Sequence, residues 1–102
     1  MKFFEKVYIE LRKVPKGKVV TYGQLATLAG SPRASRAVGM CMKQNPDAPR
    51  TPCHRVVASD GSLHGYSGGD GIPTKRKILL EEGVIFNGEK VDLKSSQWSV
   101  KY

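Results

Sequence analysis

Cys53 and His54 stand side by side in the stretch TPCHRVVASDG, and these two residue types could do covalent chemistry. A free thiol has a pKa near about 8.5, so a nucleophilic cysteine needs a base or a positive field to form its thiolate. His54, Arg50 and Arg55 could supply that field, and Glu82 could orient the histidine or a bridging water. A neighbouring Cys-His pair is a weak signal, and spacing alone favours a structural cysteine over a nucleophile.

Metal binding is the other chemistry open to these residue types. The chain holds four soft ligands, which are Cys41, Cys53, His54 and His64. They lack the paired short spacing of a zinc site, and adjacent residues rarely point at one tetrahedral ion. Cys41 falls in an apolar helical stripe and is most simply a core residue. The sequence therefore predicts no metal site and no cofactor.

Length and charge set the class of protein. The 102 residues fit one domain, 1–102, with a single modest core. Seventeen Lys and Arg stand against nine Asp and Glu, a formal net charge of +8 that is spread along the chain. This favours a folded surface that meets a polyanion, the alternative being a protein that is merely basic. No apolar run is long enough for a membrane span or the core of a signal peptide. Two cysteines are too few for a secreted scaffold held together by disulfides. We therefore expect a monomer in the cytoplasm, at the nucleoid or in a nucleus.

The first half of the chain predicts three helices. Apolar residues at helical spacing predict an amphipathic helix over 2–13. Thr21 and Gln24 have capping-box spacing and open a short helix that runs to Gly30. Ser31 and Pro32 then supply an N-cap and a first-turn proline for a helix to about residue 44. Two short helices joined by so tight a turn predict a helix-turn-helix.

The second helix of this pair has two unlike faces. Small apolar residues cluster on one face, namely Ala34, Ala37, Val38 and Cys41, and the opposite face carries Arg33, Arg36, Met40 and Lys43. Gly39 lies beside the basic face, where it would let the backbone approach a partner closely. A solvated charged face is one interpretation. A recognition helix for duplex DNA is the other, and the basic composition favours it.

The second half predicts short strands and one more helix. Arg55–Ala58 and Ser62–His64 flank an Asp-Gly turn and predict a hairpin. A helix follows, opened by Pro73 and ended by Gly83. Residues 84–86 and 91–93 predict a second hairpin around an Asn-Gly turn. The fold class is therefore α+β, a winged-helix-like domain with a helix-turn-helix and small β-hairpins.

The order of short motifs resembles one known family. The chain runs through KGKVVTYGQLATLAG, SPRASRAVGMCMKQNP, TPCHRVVASDG, GYSGG and KILLEEGV. This succession resembles the alkylguanine-DNA alkyltransferases, also called methylated-DNA–protein-cysteine methyltransferases. Each string is weak alone, but the set is specific and covers nearly the whole chain.

The resemblance implies a catalytic role for four residues. Cys53 would accept the alkyl group from O6-alkylguanine, with His54 acting as its base through a water and Glu82 orienting that relay. Tyr22 matches a tyrosine that donates towards guanine N3. The resulting thioether is stable, so each molecule would react once, as a suicide enzyme.

The resemblance also implies how duplex DNA containing O6-alkylguanine would be held. The helix-turn-helix would enter the minor groove, and Arg36 would fill the space left by a flipped nucleotide, with Tyr22 also at the DNA. The basic face adds Arg33, Gly39 and Lys43 as candidate DNA contacts. Main-chain groups at Cys53 and Val56 would read the base edge. Tyr66 and Ser67 would line the pocket, and Asn45 would tie the preceding turn to the cysteine segment.

Two alternatives to alkyl transfer remain at this point. Single-domain chains of this length, ending in a strand and a tryptophan as in VDLKSSQW, also resemble the alkyltransferase-like proteins. Those proteins bind alkylated DNA without transfer, pass lesions to nucleotide excision repair, and replace the cysteine. This chain retains Cys53, which favours transfer. A winged-helix transcription regulator would explain the basic helix but not PCHRV or YSGG.

Overall fold

The computed structural model of the chain describes residues 2–44, 51–63 and 71–99. Its elements in chain order are α1 Phe3–Arg12, β1 Val20–Thr21, α2 Tyr22–Leu28, α3 Ser35–Lys43, a 3-10 helix Cys53–Arg55, β2 Val56–Val57, α4 Ile72–Glu81, β3 Phe86–Asn87, β4 Lys90–Val91 and α5 Leu93–Ser96. This mixture of helices with two small sheets confirms the predicted α+β class. None of the helices in these described ranges is both long and apolar enough to cross a membrane.

Three helices enclose the larger part of the core. Val7 and Leu11 on α1, Leu25 on α2 and Val38 on α3 are buried together, and Val56 of β2 joins them. The α2 helix begins where the sequence predicted, because Thr21 and Gln24 form the reciprocal capping box. The helix-turn-helix formed by α2 and α3 is thus built on the three-helix core.

The α3 helix begins at Ser35, so the prediction that Ser31 caps it is wrong. The backbone N–H of Ser31 donates to the Ala26 carbonyl at 2.9 Å, and Gly30 has a φ of +90°. These are the features of a glycine-terminated helix end, in which the residue after the glycine closes the preceding helix. Ser31 is therefore used to end α2.

The first predicted hairpin is also wrong in its pairing. β2 pairs in parallel with β1, Val20 with Val56 and Thr21 with Val57, and Ser62 and Leu63 form no strand. Both valines of β2 are buried, as expected of a strand covered on both faces. The turn itself exists, but the Gly61 carbonyl accepts from Val91 N–H at 2.9 Å, which ties the turn to β4. His64 lies outside the described residues.

The second predicted hairpin is confirmed, but its strands have two residues each and lie closer to the turn than predicted. β3 and β4 are antiparallel, and Phe86 pairs with Val91. The strand predicted through residue 93 ends at Val91, because the Asp92 side chain accepts from Lys94 N–H and caps α5. The tail is therefore a short helix followed by a bridge between Gln97 and Val19, not a strand leading to the tryptophan.

Candidate functional site

Cys53 opens the 3-10 helix and is partly exposed, with its thiol free. Its backbone N–H donates to the Thr51 carbonyl at 2.8 Å. Thr51 is itself fully buried, and its hydroxyl accepts from Arg12 Nε at 3.0 Å. The segment that carries the thiol is therefore held from α1, while Cys53 itself packs against the core and remains partly exposed.

His54, the residue after Cys53, contacts Glu82, which follows the last residue of α4. His54 is 5% exposed, and its Nε2 lies 3.1 Å from Glu82 Oε1. Arg55 donates to both carboxylate oxygens, from Nε at 3.0 Å and from Nη2 at 2.7 Å, and its Nη1 donates to the Val14 carbonyl at 2.8 Å. A two-pronged arginine contact fixes the plane of a carboxylate. Glu82 therefore has one fixed orientation towards the imidazole.

The electrostatics keep His54 neutral and Glu82 ionised. Burial lowers the pKa of His54, and the neighbouring carboxylate of Glu82 only partly offsets this. Burial acts to raise the pKa of Glu82, but the hydrogen bonds from Arg55 and the interaction with His54 outweigh it and lower that pKa. An ionised carboxylate only accepts hydrogen bonds, so Nε2 of His54 carries the proton. The other ring nitrogen, Nδ1, is then free of a proton and can act as a base.

Tyr22 is the first residue of α2, and it packs against the same core as Cys53. Burial raises the pKa of the Tyr22 phenol, and the charge of a Cys53 thiolate raises it further. The phenol therefore keeps its proton at neutral pH, which leaves it able to donate a hydrogen bond.

Lys75 is a residue of this region that the sequence reasoning missed. It is 1% exposed, and its Nζ donates to the Val56 carbonyl at 2.6 Å. Burial lowers the pKa of Lys75 to about 8, although the charge of Cys53 acts to raise it. The helical spacing of Lys75, Leu79 and Glu82 could have placed this lysine on the buried face of α4.

The outward face of α3 carries the predicted basic residues. Arg33 before the helix, and Arg36 and Lys43 within it, are exposed, whereas Val38 and Cys41 are buried. A Cβ added at Gly39 would meet no atom within 4 Å. Internal packing therefore gives no reason for a glycine there, and the space beside it is open to a partner.

The remaining predicted site residues divide into two groups. Val56 is buried, its N–H donates to the Cys53 carbonyl, and its own carbonyl accepts from Lys75. Asn45, Tyr66 and Ser67 lie outside the described residues. Within the described ranges no three His, Cys, Asp or Glu side chains come together in a group that could hold a metal ion.

Comparison with known proteins points to one family. A family model described as "6-O-methylguanine DNA methyltransferase, DNA binding domain" matches residues 2–84. A methylated-DNA–protein-cysteine methyltransferase of Rattus norvegicus is 49% identical over 83 residues, which are 80% of this chain and 39% of the rat protein. A DNA base-flipping protein of Escherichia coli is 40% identical over 98 residues, covering 95% of this chain and 74% of that protein. The chain spans about two-fifths of the length of the rat relative.

Two solved structures of protein–DNA complexes are similar to this chain. Schizosaccharomyces pombe Atl1, in complex with damaged DNA containing O6-carboxymethylguanine, has a TM-score of 0.84 at 33% identity and covers 98% of this chain and 100% of its own. The Mycobacterium tuberculosis protein titled OGT, in complex with DNA, has a TM-score of 0.76 at 41% identity and covers 81% of this chain and 50% of its own. Because the family model spans most of the residues, the chain belongs to the 6-O-methylguanine DNA methyltransferase family, in the region described as its DNA binding domain.

Proposed function

We propose that residues 1–102 form one DNA-binding and catalytic domain, which repairs duplex DNA by moving the alkyl group of O6-alkylguanine to Cys53. The observation that carries this proposal is the partly exposed Cys53 thiol directly before a buried, neutral His54 that Glu82 holds at 3.1 Å. A structural cysteine needs neither an oriented base next to it nor partial exposure.

The transfer balances without a cofactor. The Cys53 thiol gives its proton through a water to Nδ1 of His54, and Glu82 stabilises the imidazolium through Nε2. The Sγ thiolate then attacks the alkyl carbon, so a sulfur–carbon bond forms as the carbon–O6 bond breaks. The electron pair of that bond passes to the guanine. The guanine then takes up the proton held by the His54 imidazolium, which restores neutral His54. The products are guanine and a thioether at Cys53.

Tyr22 suits the leaving side of this reaction. Negative charge develops on the base as the carbon–O6 bond breaks, and a protonated phenol aimed at the ring would stabilise it. A phenol is a donor across the neutral range at its ordinary pKa, and the raised pKa of Tyr22 only extends that range to higher pH.

The α3 face suits the binding of duplex DNA. Arg33, Arg36 and Lys43 are exposed there, and α3 itself contains no acidic residue. The attacked carbon lies within the base stack, so the nucleotide has to leave the helix before a thiolate can reach it. Arg36, in the first turn of α3, is the side chain proposed to fill the vacated space.

Methyl transfer is tested by intact mass and peptide mapping after incubation with an O6-methylguanine duplex. We expect the mass of one methyl group on the Cys53 peptide, with at most one equivalent transferred per molecule. Cys41 serves as a control within the same chain, because it is fully buried and burial raises the pKa of its thiol to about 11. Methylation of both cysteines would indicate unspecific alkylation and contradict the proposal.

A lesion-binding role without transfer is the second candidate. The similarity to Atl1, over 98% of this chain, favours it. In that case the protein would bind the O6-methylguanine duplex in preference to the plain duplex, Cys53 would stay unmodified, and nucleotide excision repair proteins would be the expected partners.

A substitution at Gly39 tests the proposed interface, because it is expected to raise the stability of the fold and to lower its affinity for duplex DNA. Replacing Gly39 by alanine is expected to stabilise the fold by about 0.5–1 kcal/mol, because alanine favours the helix and its Cβ meets open space. The same methyl group would hold the DNA backbone away from α3, so duplex affinity should fall several-fold. Urea unfolding and fluorescence anisotropy measure the two effects. An unchanged affinity in the stabilised variant would place the DNA elsewhere.

A further inference from the structure

Met40 is an exposed apolar residue in the middle of a basic surface. Its side chain is 55% exposed, the largest value among the exposed large hydrophobic residues of the described ranges. It lies on the outward side of α3, whose inward side buries Val38 and Cys41. The core therefore does not explain an apolar side chain here.

The neighbours of Met40 are cationic or very small. Arg36 precedes it by four residues and Lys43 follows it by three, so helix geometry places both on the same side of α3, within roughly 40–60° of Met40. Gly39, beside it, leaves open space. The helix sequence SRAVGMCMK contains no carboxylate. The surface is therefore one apolar contact between two positive charges.

This combination selects the kind of partner. The two charges suit a polyanion, but phosphate groups give a thioether side chain nothing to pack against. Duplex DNA offers both chemistries close together, because the groove between the phosphates is lined by sugars and base edges. Methionine is one of the apolar side chains that proteins insert at base steps from the minor groove.

We propose that Met40 is an apolar wedge that packs into the minor groove one helical turn away from Arg36. This rests on the proposed DNA binding but not on alkyl transfer. Four residues of helix rise about 6 Å, which is close to two base steps of 3.4 Å. Met40 would then contact the duplex beside the step that Arg36 occupies and help to hold the flipped conformation.

The experiment measures the Kd of the full chain for a fluorescent O6-methylguanine duplex over a series of salt concentrations. Met40→Ala is expected to weaken binding about tenfold, because it removes a buried apolar contact, and to leave the slope of log Kd against log salt unchanged. Lys43→Ala should instead reduce that slope by about one. Met40→Leu should retain the wild-type affinity, since it keeps an apolar side chain of similar volume.

Ile85→Ala is the matched control, because Ile85 is 52% exposed but lies next to the β3–β4 hairpin and not on α3. An equal loss of affinity in Ile85→Ala, a change in salt slope in Met40→Ala, or no loss in Met40→Ala would each overturn the wedge. If the wild type binds no duplex, both the wedge and the proposed function fail. If it binds the duplex and transfers the methyl group while Met40→Ala behaves as wild type, only the wedge fails.

Discussion

Replacing Glu82 by glutamine is expected to slow methyl transfer to Cys53 by about 10²–10³-fold, since a positioned general base contributes about 10²–10⁴. Glutamine keeps the shape of the side chain but removes the charge that stabilises an imidazolium at His54. It also replaces one of the two carboxylate oxygens that accept hydrogen bonds from Arg55 with an NH₂ group, which then faces Arg55 Nη2 or Nε. His54, the proposed base, then loses both its electrostatic partner and its fixed orientation.

Single-turnover rates with an O6-methylguanine duplex measure this loss, and Glu81→Gln is the matched control. Glu81 is the preceding residue and is exposed, so the same change there removes one negative charge without touching His54. We expect the control to react within a few-fold of the wild-type rate. Equal rates in both variants would remove Glu82 from the proton relay.

The pH profile separates a role in the relay from a role in folding. The interactions with Glu82 act to raise the pKa of His54, against the larger effect of burial. Removing that charge should lower the pKa of His54 further. The wild-type rate is expected to fall only below the ordinary histidine pKa, and the residual rate of Glu82→Gln should begin its fall at a still lower pH. A variant that was merely misfolded would lose rate equally at every pH.

The parts of the fold that the sequence predicted correctly depend on contacts between near neighbours in the chain. The capping box joins Thr21 and Gln24, three positions apart, and the two faces of α3 follow from helix geometry alone. Both predictions needed only the local backbone conformation. The order of motifs, which covers nearly the whole chain, supplied the family.

The predictions that failed depend on partners far along the chain. Nothing near Val56 indicates that its strand would pair with Val20, 36 residues earlier, rather than with the segment after the next turn. Ser31-Pro32 is a sound start signal for a helix, yet the glycine before it required the serine to close α2. In both cases tertiary or preceding structure overrode a valid local preference.

The candidate site shows the same division. The motif order identified Cys53, His54 and Glu82, and the structure brings His54 and Glu82 together across 28 residues. Composition and motif gave no sign of Lys75, because lysine is rarely fully buried and its partner is a main-chain carbonyl. Only the placement of α4 against β2 shows that this lysine faces inward.

Lys75 yields the second large effect, on stability. The pKa of Lys75 falls from an ordinary 10.5 to about 8 because the fold buries its ammonium. Between these values the unfolded chain binds more protons than the folded chain, so the contribution of Lys75 to stability rises with pH over that window. A pKa difference of this size corresponds to about 3 kcal/mol, at 1.36 kcal/mol for each pKa unit.

Replacing Lys75 by methionine should remove this contribution. The free energy of unfolding of the wild type, relative to Lys75→Met, is therefore expected to increase by about 3 kcal/mol from pH 7.5 to 10.5. Tyr8, Tyr22 and Cys41 have raised pKa values and act in the opposite direction, but they are present in both proteins and cancel in the difference. Urea unfolding across the pH range gives the measurement.

Lys77→Met is the matched control, because Lys77 lies on the same helix and is exposed to water. Its difference from the wild type should stay constant with pH. A constant difference for Lys75→Met as well would show that the ammonium is not desolvated in the folded protein. A rising difference, together with slower methyl transfer by Lys75→Met at pH 7.5, would mean that the buried charge costs stability but supports transfer. The chain would then keep Lys75 because its ammonium orders the carbonyl of Val56, three residues after Cys53.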